Sequence, residues 1–392
     1  MLRGGNIVCL STHYWNDPWF RKQHFMSRFA KNGNRILYVE PTFSMIRRPY
    51  KDTAKNRPFR SFLQRMDKNI FLVKPPQALP KCTEPLISKM NHIWFAKIID
   101  RAARRLSMNH YILWVYRPEY FPALKYFSYE KLGFGLTDDL AAYGGKKDNA
   151  YYYKNRCING LIDESNVVIV TAQTLLEKYQ SKTSGKIFCV PNGVDLKLFW
   201  EASRQTPADL RNMKRPIIGF VGVLFKFIDY DLITYVADKN KDCSVALVGP
   251  IEPWGTKEAI EKLTKRKNIY LLGKKKREEI PSYIAQFDVC INPFKVDQVS
   301  RSANPLKIYE YLACGKPIVS TDMESLKLDK LISSEIDFAA DYFAFDKLVN
   351  QGTTREVSKE ERMRKIQVVG NYSWDKLFHE LLIIMQEHGF CV

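Results

Sequence analysis

The stretch 302–322 reads SANPLKIYEYLACGKPIVSTD and parses as loop, helix, tight turn and buried strand. Asn304 is a good N-cap, and Pro305 suits the first helical position, where its missing N–H removes no hydrogen bond. Leu306, Ile308, Tyr309, Leu312 and Ala313 form the apolar side of the helix, and Gly315 supplies the stop. Pro317 to Ser320 is a short β-branched run, the pattern of a strand buried on both faces. Two charges interrupt the apolar helix. Lys307 stands in its first turn and Glu310 three residues on, along the same face.

Those two charges suit a sugar nucleotide. The free N–H groups and partial positive charge of a helix N-terminus attract a diphosphate, and Lys307 adds a full charge beside it. Glu310 can accept hydrogen bonds from two vicinal ribose hydroxyls. The competing reading is an i,i+3 ion pair on a surface helix. The buried strand and strong turn that follow favour a helix facing a cleft.

Upstream of this stretch a βαβ rhythm fills the chain from PIIGFVGVLF (216–225) onward. Gly219 and Gly222 flank the end of its first strand, where a glycine lets backbone approach a phosphate closely. Gly222 and Val223 therefore join Ser302, Asn304, Pro305, Leu306, Lys307 and Glu310 as the expected nucleotide-binding set. Helix 229–240, strand SVALVGP, helix 256–265, strand NIYLLG, helix 277–286 and strand DVCINPF follow, as in a doubly wound parallel sheet. The basic run KKKREE (274–279) reads as the solvated start of a helix. After Thr321 the chain reads as helical and polar.

The first 200 residues open another sheet of this kind. NIVCLS (6–11) and RILYVEP (35–41) are strands around a helix that ends at Asn32-Gly33, with the polar, aromatic loop THYWNDPW between. His13 lies just past the first strand, where such sheets bind ligands, and is a candidate acceptor contact; a loop histidine bonded to backbone is the alternative. Residues 42–68 read as irregular loops or short helices, NIFLVKPP (69–76) as a strand, and the stretch from about Pro85 to Leu106 as an amphipathic helix. HYILWVY (110–116), KLGFGL and NVVIVTA (166–172) are further strands, with a helix near 148–163. KLGFGL runs into Thr137-Asp138-Asp139. A carboxylate beside a cleft can deprotonate a hydroxyl, so Asp138 and Asp139 are both candidate general bases, Asp138 preferred because it comes first off the strand. The competing reading is that they cap the next helix, a role expected of Asp139 where Asp138 is the base.

PLKIYEYLACGKPIVST resembles the nucleotide-sugar motif of GT-B glycosyltransferases of family 4, within it the teichuronic-acid branch. PNGVD at 191–195 with Phe199 four residues on, the polar-aromatic loop after the first strand, and VEP at the end of the second also fit that group. The resemblance implies two Rossmann-like domains facing a central cleft: residues 1–200 on the acceptor side, a linker at 201–214, a nucleotide-sugar domain at 215–370, and a last helix at 371–392 crossing back to the first domain. It implies transfer of a hexose from a UDP- or GDP-type sugar to a lipid-linked or cell-surface glycan precursor. Neither metal nor cofactor is expected. Two positions depart from the group. Ser302 stands where many members have a Glu, eight residues before Glu310, and Gly135 replaces the first Asp of an acidic cluster that Asp138 and Asp139 continue. These departures leave open a binding module without catalysis, or a sugar-nucleotide epimerase on the same fold.

With 392 residues, 45% of them apolar and 13% aromatic, the chain can bury two cores and is not a disordered one. The eight cysteines include no CxxC pair and do not cluster with the six histidines, which speaks for buried reduced thiols and against zinc. No apolar run reaches the roughly 20 residues of a membrane span, and the N-terminus goes straight into a strand, so a cytoplasmic protein is expected. Net charge is +19, and residues 1–106 hold 21 Lys and Arg against 6 Asp and Glu, a surplus of 15. Basic and aromatic residues interleave there without a nucleic-acid motif. An anionic inner-leaflet membrane surface is therefore the expected partner, and nucleic acid is not.

Overall fold

Runs such as IVCL, ILWV and VVIV are apolar at every position because their strands are covered on both faces. The computed structural model describes residues 3–41, 43–44, 63–77, 85–144, 148–181, 183, 185–201, 205–252 and 256–390. The chain divides into two compact units. The first comprises Met1–Thr171, Leu175–Val190 and Phe378–Val392, the second Ala172–Thr174 and Pro191–Leu377. Much of the basic stretch 42–68 lies outside the described residues, as does part of the expected linker.

The strands of the first unit are β1 (Asn6–Leu10), β2 (Arg35–Val39), β3 (Phe43–Ser44), β4 (Leu63–Asp67), β5 (Ile70–Val73), β6 (Pro76–Gln77), β7 (Ile112–Val115), β8 (Lys131–Leu136), β9 (Val167–Val170) and β10 (Ile187–Cys189). Eight of them form one sheet in the order β10-β9-β8-β7-β1-β2-β5-β4, and β3 pairs separately with β6. All neighbours in the large sheet run parallel except β4 against β5. Within 42–68, then, a strand stands where loops or short helices were expected. Its residues LQRMD are largely exposed, and an edge strand that packs only through its backbone leaves no apolar alternation to read.

The second unit holds β11 (Ile217–Val221), β12 (Ser244–Val248), β13 (Ile269–Gly273), β14 (Val289–Asn292), β15 (Ile318–Thr321) and β16 (Asp337–Ala339). They form an all-parallel sheet in the order β13-β12-β11-β14-β15-β16. The three-residue β16 falls in the part expected to be only helical. Both sheets have a switch point, between β1 and β7 in one and between β11 and β14 in the other, where the strand order turns back. Crevices open beyond the carboxyl ends of strands at such points.

Candidate active site

In the second unit the switch point is visibly splayed. β11 pairs with β12 along its full length but with β14 only at Ile218 and Gly219. Tyr311, buried on the helix Leu306–Ala313, fills the gap: its hydroxyl accepts from Val221 N at 2.8 Å and donates to Ile291 O at 3.4 Å. The helix ends as its sequence demands. Gly315 has φ +65°, with Gly315 N on Leu312 O and Lys316 N on Tyr311 O, which closes the last turn. Its start differs from expectation. Pro305 is the N-cap, and Asn304 makes no cap; its side-chain oxygen accepts from Asn192 N, and its carbonyl from Asn192 Nδ2 at 2.6 Å. Asn304 thus ties the helix entry to the PNGVD turn.

Lys307 is 8% exposed and lies along β11. Its ammonium sits 4.9 Å from the Phe220 ring and 4.5 Å from the Phe294 ring, and its Cε would lie 3.0 Å from a Cβ placed on Gly222. Gly222 also has φ +144°, so the backbone requires glycine there, and the space beside the lysine is tight. Gly219 has a different reason: its Cβ would strike the Phe287 ring at 1.9 Å, which is core packing and not phosphate approach. Val223 follows Gly222 half-buried, and Leu306 is half-buried while Pro305 is buried. Ser302 is buried in the short turn Ser300–Ser302. Burial pushes Lys307 down to about 7, opposed by Glu310, and pushes Glu310 up to about 7, opposed by Lys307 and Arg277.

Arg277 was missed in the sequence, where its basic run looked merely solvated. Its guanidinium pairs with Asp195 of the PNGVD turn at 2.5 Å, and its charge reaches Glu310. Lys275 likewise pairs with Asp209 at 2.6 Å. The only available signal was an acidic residue in a turn 82 positions away. A hollow of about 610 Å³ opens beside Phe294, lined also by Tyr235, Thr321, Tyr342 and Phe343. Its two carboxylates are already engaged as helix caps, Asp229 on Leu232 N and Asp341 on Ala344 N.

In the first unit, the residues past β1, β7 and β8 meet around Lys22. This lysine, second in the helix Arg21–Lys31, is 3% exposed. Its Nζ lies 3.0 Å from His13 Nδ1 and 5.2 Å from the Tyr116 ring centre. The His13 loop is held by Tyr38, whose hydroxyl donates to His13 O at 3.1 Å, and by Glu40 of VEP, which accepts from Trp15 N at 3.0 Å. Burial, with Lys22 adding to it, pushes His13 down to about 3. Asp138 accepts from Thr137 Oγ1 at 3.2 Å. Burial raises it to about 6, against the opposing charge of Lys22 and hydrogen bonds from Thr137 and Tyr143.

Asp139 is no helix cap, contrary to expectation. It is buried, 2.8 Å from Lys178 Nζ, and the helix Asn149–Glu164 is capped by Asp148 through Tyr151 N. The departure at Gly135 also has a structural cause. A Cβ there would lie 2.4 Å from Tyr116 Cε1, so the tyrosine ring occupies the room an aspartate would need. Among the described residues no group of His, Cys, Asp and Glu could hold a metal ion, no cysteine is in a disulfide, and no helix is long and apolar enough to cross a membrane.

Residues 215–337, the whole of the splayed sheet but its last residues, match the family model of glycosyl transferases group 1. A Bacillus subtilis (strain 168) protein named for teichuronic acid biosynthesis, the glycosyltransferase TuaH, is 27% identical over 281 residues, covering 67% of this chain and 68% of its own. Sucrose-phosphate synthase from Thermosynechococcus elongatus superposes with a TM-score of 0.72 at 14% identity, covering 98% of each chain. HepE of Anabaena, in complex with UDP and glucose, reaches 0.66 at 12% identity over 97% of this chain and 99% of its own. The two parallel sheets and these matches agree: the chain has the GT-B fold, and its second unit is similar over residues 215–337 to the group 1 glycosyl transferases, which makes it a glycosyltransferase.

Proposed function

We propose that this glycosyltransferase moves a hexose from a nucleotide-diphosphate sugar to a glycan or glycolipid precursor of the cell envelope. The observation that carries the donor reading is Lys307, a buried ammonium against Gly222 at the splayed switch point, with Glu310 on the next turn. Lys307 and the helix N-terminus meet the diphosphate, and Glu310, flanked by Arg277, receives the ribose hydroxyls. Lys307 and the helix N-terminus also take up the charge that grows on the leaving diphosphate, so the reading needs no metal. Asp138 accepts the proton of the acceptor hydroxyl. The acceptor oxygen bonds to the sugar C1 as the C1–oxygen bond to the diphosphate breaks, and that electron pair departs with the nucleoside diphosphate. HepE is held with UDP and glucose, and TuaH is named for a cell-wall polymer; a UDP-sugar and an envelope glycan are accordingly the first substrates to test.

Titration calorimetry with UDP and GDP, with and without EDTA, tests the donor half. One of them should bind with EDTA present, and a folded Lys307→Ala variant should lose most of that affinity; unchanged affinity would remove the assignment.

An anionic membrane surface is the proposed site of work, cytoplasmic and peripheral. The helix Pro85–Arg105 leaves Met90, Trp94, Lys97 and Arg101 exposed at spacings of four, three and four, one stripe of apolar and basic side chains. Vesicles containing phosphatidylglycerol should pull the protein down at low salt and release it at high salt. Binding indifferent to lipid charge and salt would refute this.

A further inference from the structure

We propose that Lys22 is the positioning residue of the acceptor side: its ammonium fixes His13 as an Nε2–H donor and is the cation that faces Asp138. The proposal rests on the reading of Asp138 as the proton acceptor.

An ammonium is a poor group to bury, and the first turn of its own helix contains no acidic residue to offset it. Lys22 nonetheless sits at the carboxyl ends of β1, β7 and β8, the strands that carry His13, Tyr116 and Asp138. An ammonium has only donors, so the contact of 3.0 Å makes His13 Nδ1 an acceptor and leaves the ring proton on Nε2. Thr12 Oγ1, 2.8 Å from the same nitrogen, shares it. The Tyr116 ring, admitted by Gly135, gives the ammonium an aromatic face where a carboxylate would otherwise start. Asp138 is the carboxylate whose charge Lys22 then feels, against the like charge of Arg21.

The groups facing Asp138 are Lys22, Thr137, Tyr143 and Asp139, and Lys22 is the cation among them. Without it, burial acts on Asp138 with less opposition. A protonated Asp138 cannot take the acceptor proton, so the loss of Lys22 reaches the chemistry through Asp138. His13, kept neutral by burial and by Lys22, serves as a hydrogen-bond donor to an acceptor oxygen and not as a base.

Substrate-free NMR tests this on the full chain. Carboxyl carbon titration should place Asp138 near 6 in the wild type and move it up by about one pH unit or more in Lys22→Met, the size a lost neighbouring charge produces. Imidazole nitrogen spectra, assigned with His13→Gln, should show a protonated Nε2 and bare Nδ1 in the wild type and a mixture of tautomers in Lys22→Met. Lys22→Arg should retain both wild-type signatures more closely than Lys22→Met. An Asp138 midpoint or a His13 pattern that stays put in folded Lys22→Met overturns the proposal. Once a donor is in hand, the acid limb of the transfer rate should follow the Asp138 midpoint upward in Lys22→Met. Retained turnover in Asp138→Asn would instead refute the base, a separate outcome from an unshifted midpoint.

Discussion

Each unit places a buried lysine near a carboxylate at the carboxyl ends of its strands, but the two pairs are assembled differently. In the second unit Lys307 and Glu310 lie three residues apart on one helix, and burial brings both to about 7. In the first, Lys22 enters from a helix and Asp138 from the end of a distant strand, and burial brings them to about 8 and about 6. The balanced pair is half-charged at neutrality and suits a site that waits for a diphosphate. The separated pair stays ionised at neutrality, with a carboxylate free to accept a proton. The difference points to binding in one unit and proton transfer in the other.

The sharpest way to break this comparison is Asp138→Asn. A base that acts only in the transition state should take transfer down by about 10²–10⁴-fold while leaving nucleotide affinity nearly intact. Coupled assay of nucleoside diphosphate release against calorimetry separates the two effects. Near wild-type turnover would move the proton to another group and dissolve the contrast between the units.

Glu310 sharpens the other half. Glu310→Ala should weaken donor binding by about 1.5–3 kcal/mol, the range for hydrogen bonds to a charged group. The pH dependence follows from opposed signs. A bound diphosphate favours the charged Lys307, so this contribution is full below about 7 and is lost as pH rises through that value. Ribose hydroxyls donating to Glu310 favour its ionised form, so this contribution is lost as pH falls through about 7. Wild-type affinity should therefore peak near neutrality and decline on both sides. Glu310→Gln should abolish the acid-side decline and keep the alkaline one, moved to lower pH because the carboxylate that supported Lys307 has gone. Calorimetry from pH 5.5 to 9 decides it, and an unaltered acid side in Glu310→Gln would show that Glu310 does not titrate in binding.

These two pairs also explain what could be read in advance. Lys307 and Glu310 were legible because helical spacing alone puts them on one face, and Gly315 and the β-branched run marked the elements around them. Lys22 was not, since nothing local distinguishes it from Arg21 or Lys31; its meaning comes from His13 and Asp138, gathered by the sheet order. Arg277 was lost for the same reason, its partner lying in a turn 82 residues away. The core strands declared themselves through continuous apolar runs, whereas the exposed edge strand β4 and the three-residue β16 had no such pattern to show. The cap expected of Asp139 failed on competition. A lysine 39 residues on claims its carboxylate first, and Asp148 lies nearer the helix start.

That failure gives the finest test of the comparison, because Asp139 is the neighbour of the proposed base and, beyond raising the Asp138 midpoint through its like charge, takes no part in the chemistry. Its carboxylate is buried with one oxygen on Lys178 Nζ and the other without a hydrogen-bond partner, while the lysine is 35% exposed on its side chain. A pair with one wet member contributes less than a fully buried one, about 1 kcal/mol after screening. Asp139→Asn keeps an acceptor for the lysine and loses only the charge, so a fall in Tm of about 2–4 °C is expected, with turnover and nucleotide affinity unchanged. Lys178→Met should cost a similar amount, and the double variant less than the two together, since either change alone removes the same attraction. Scanning calorimetry of the four proteins measures the coupling. A loss of turnover in Asp139→Asn as large as in Asp138→Asn would mean that the two carboxylates act as one acidic centre, and the division between a positioned base and a structural neighbour would fall.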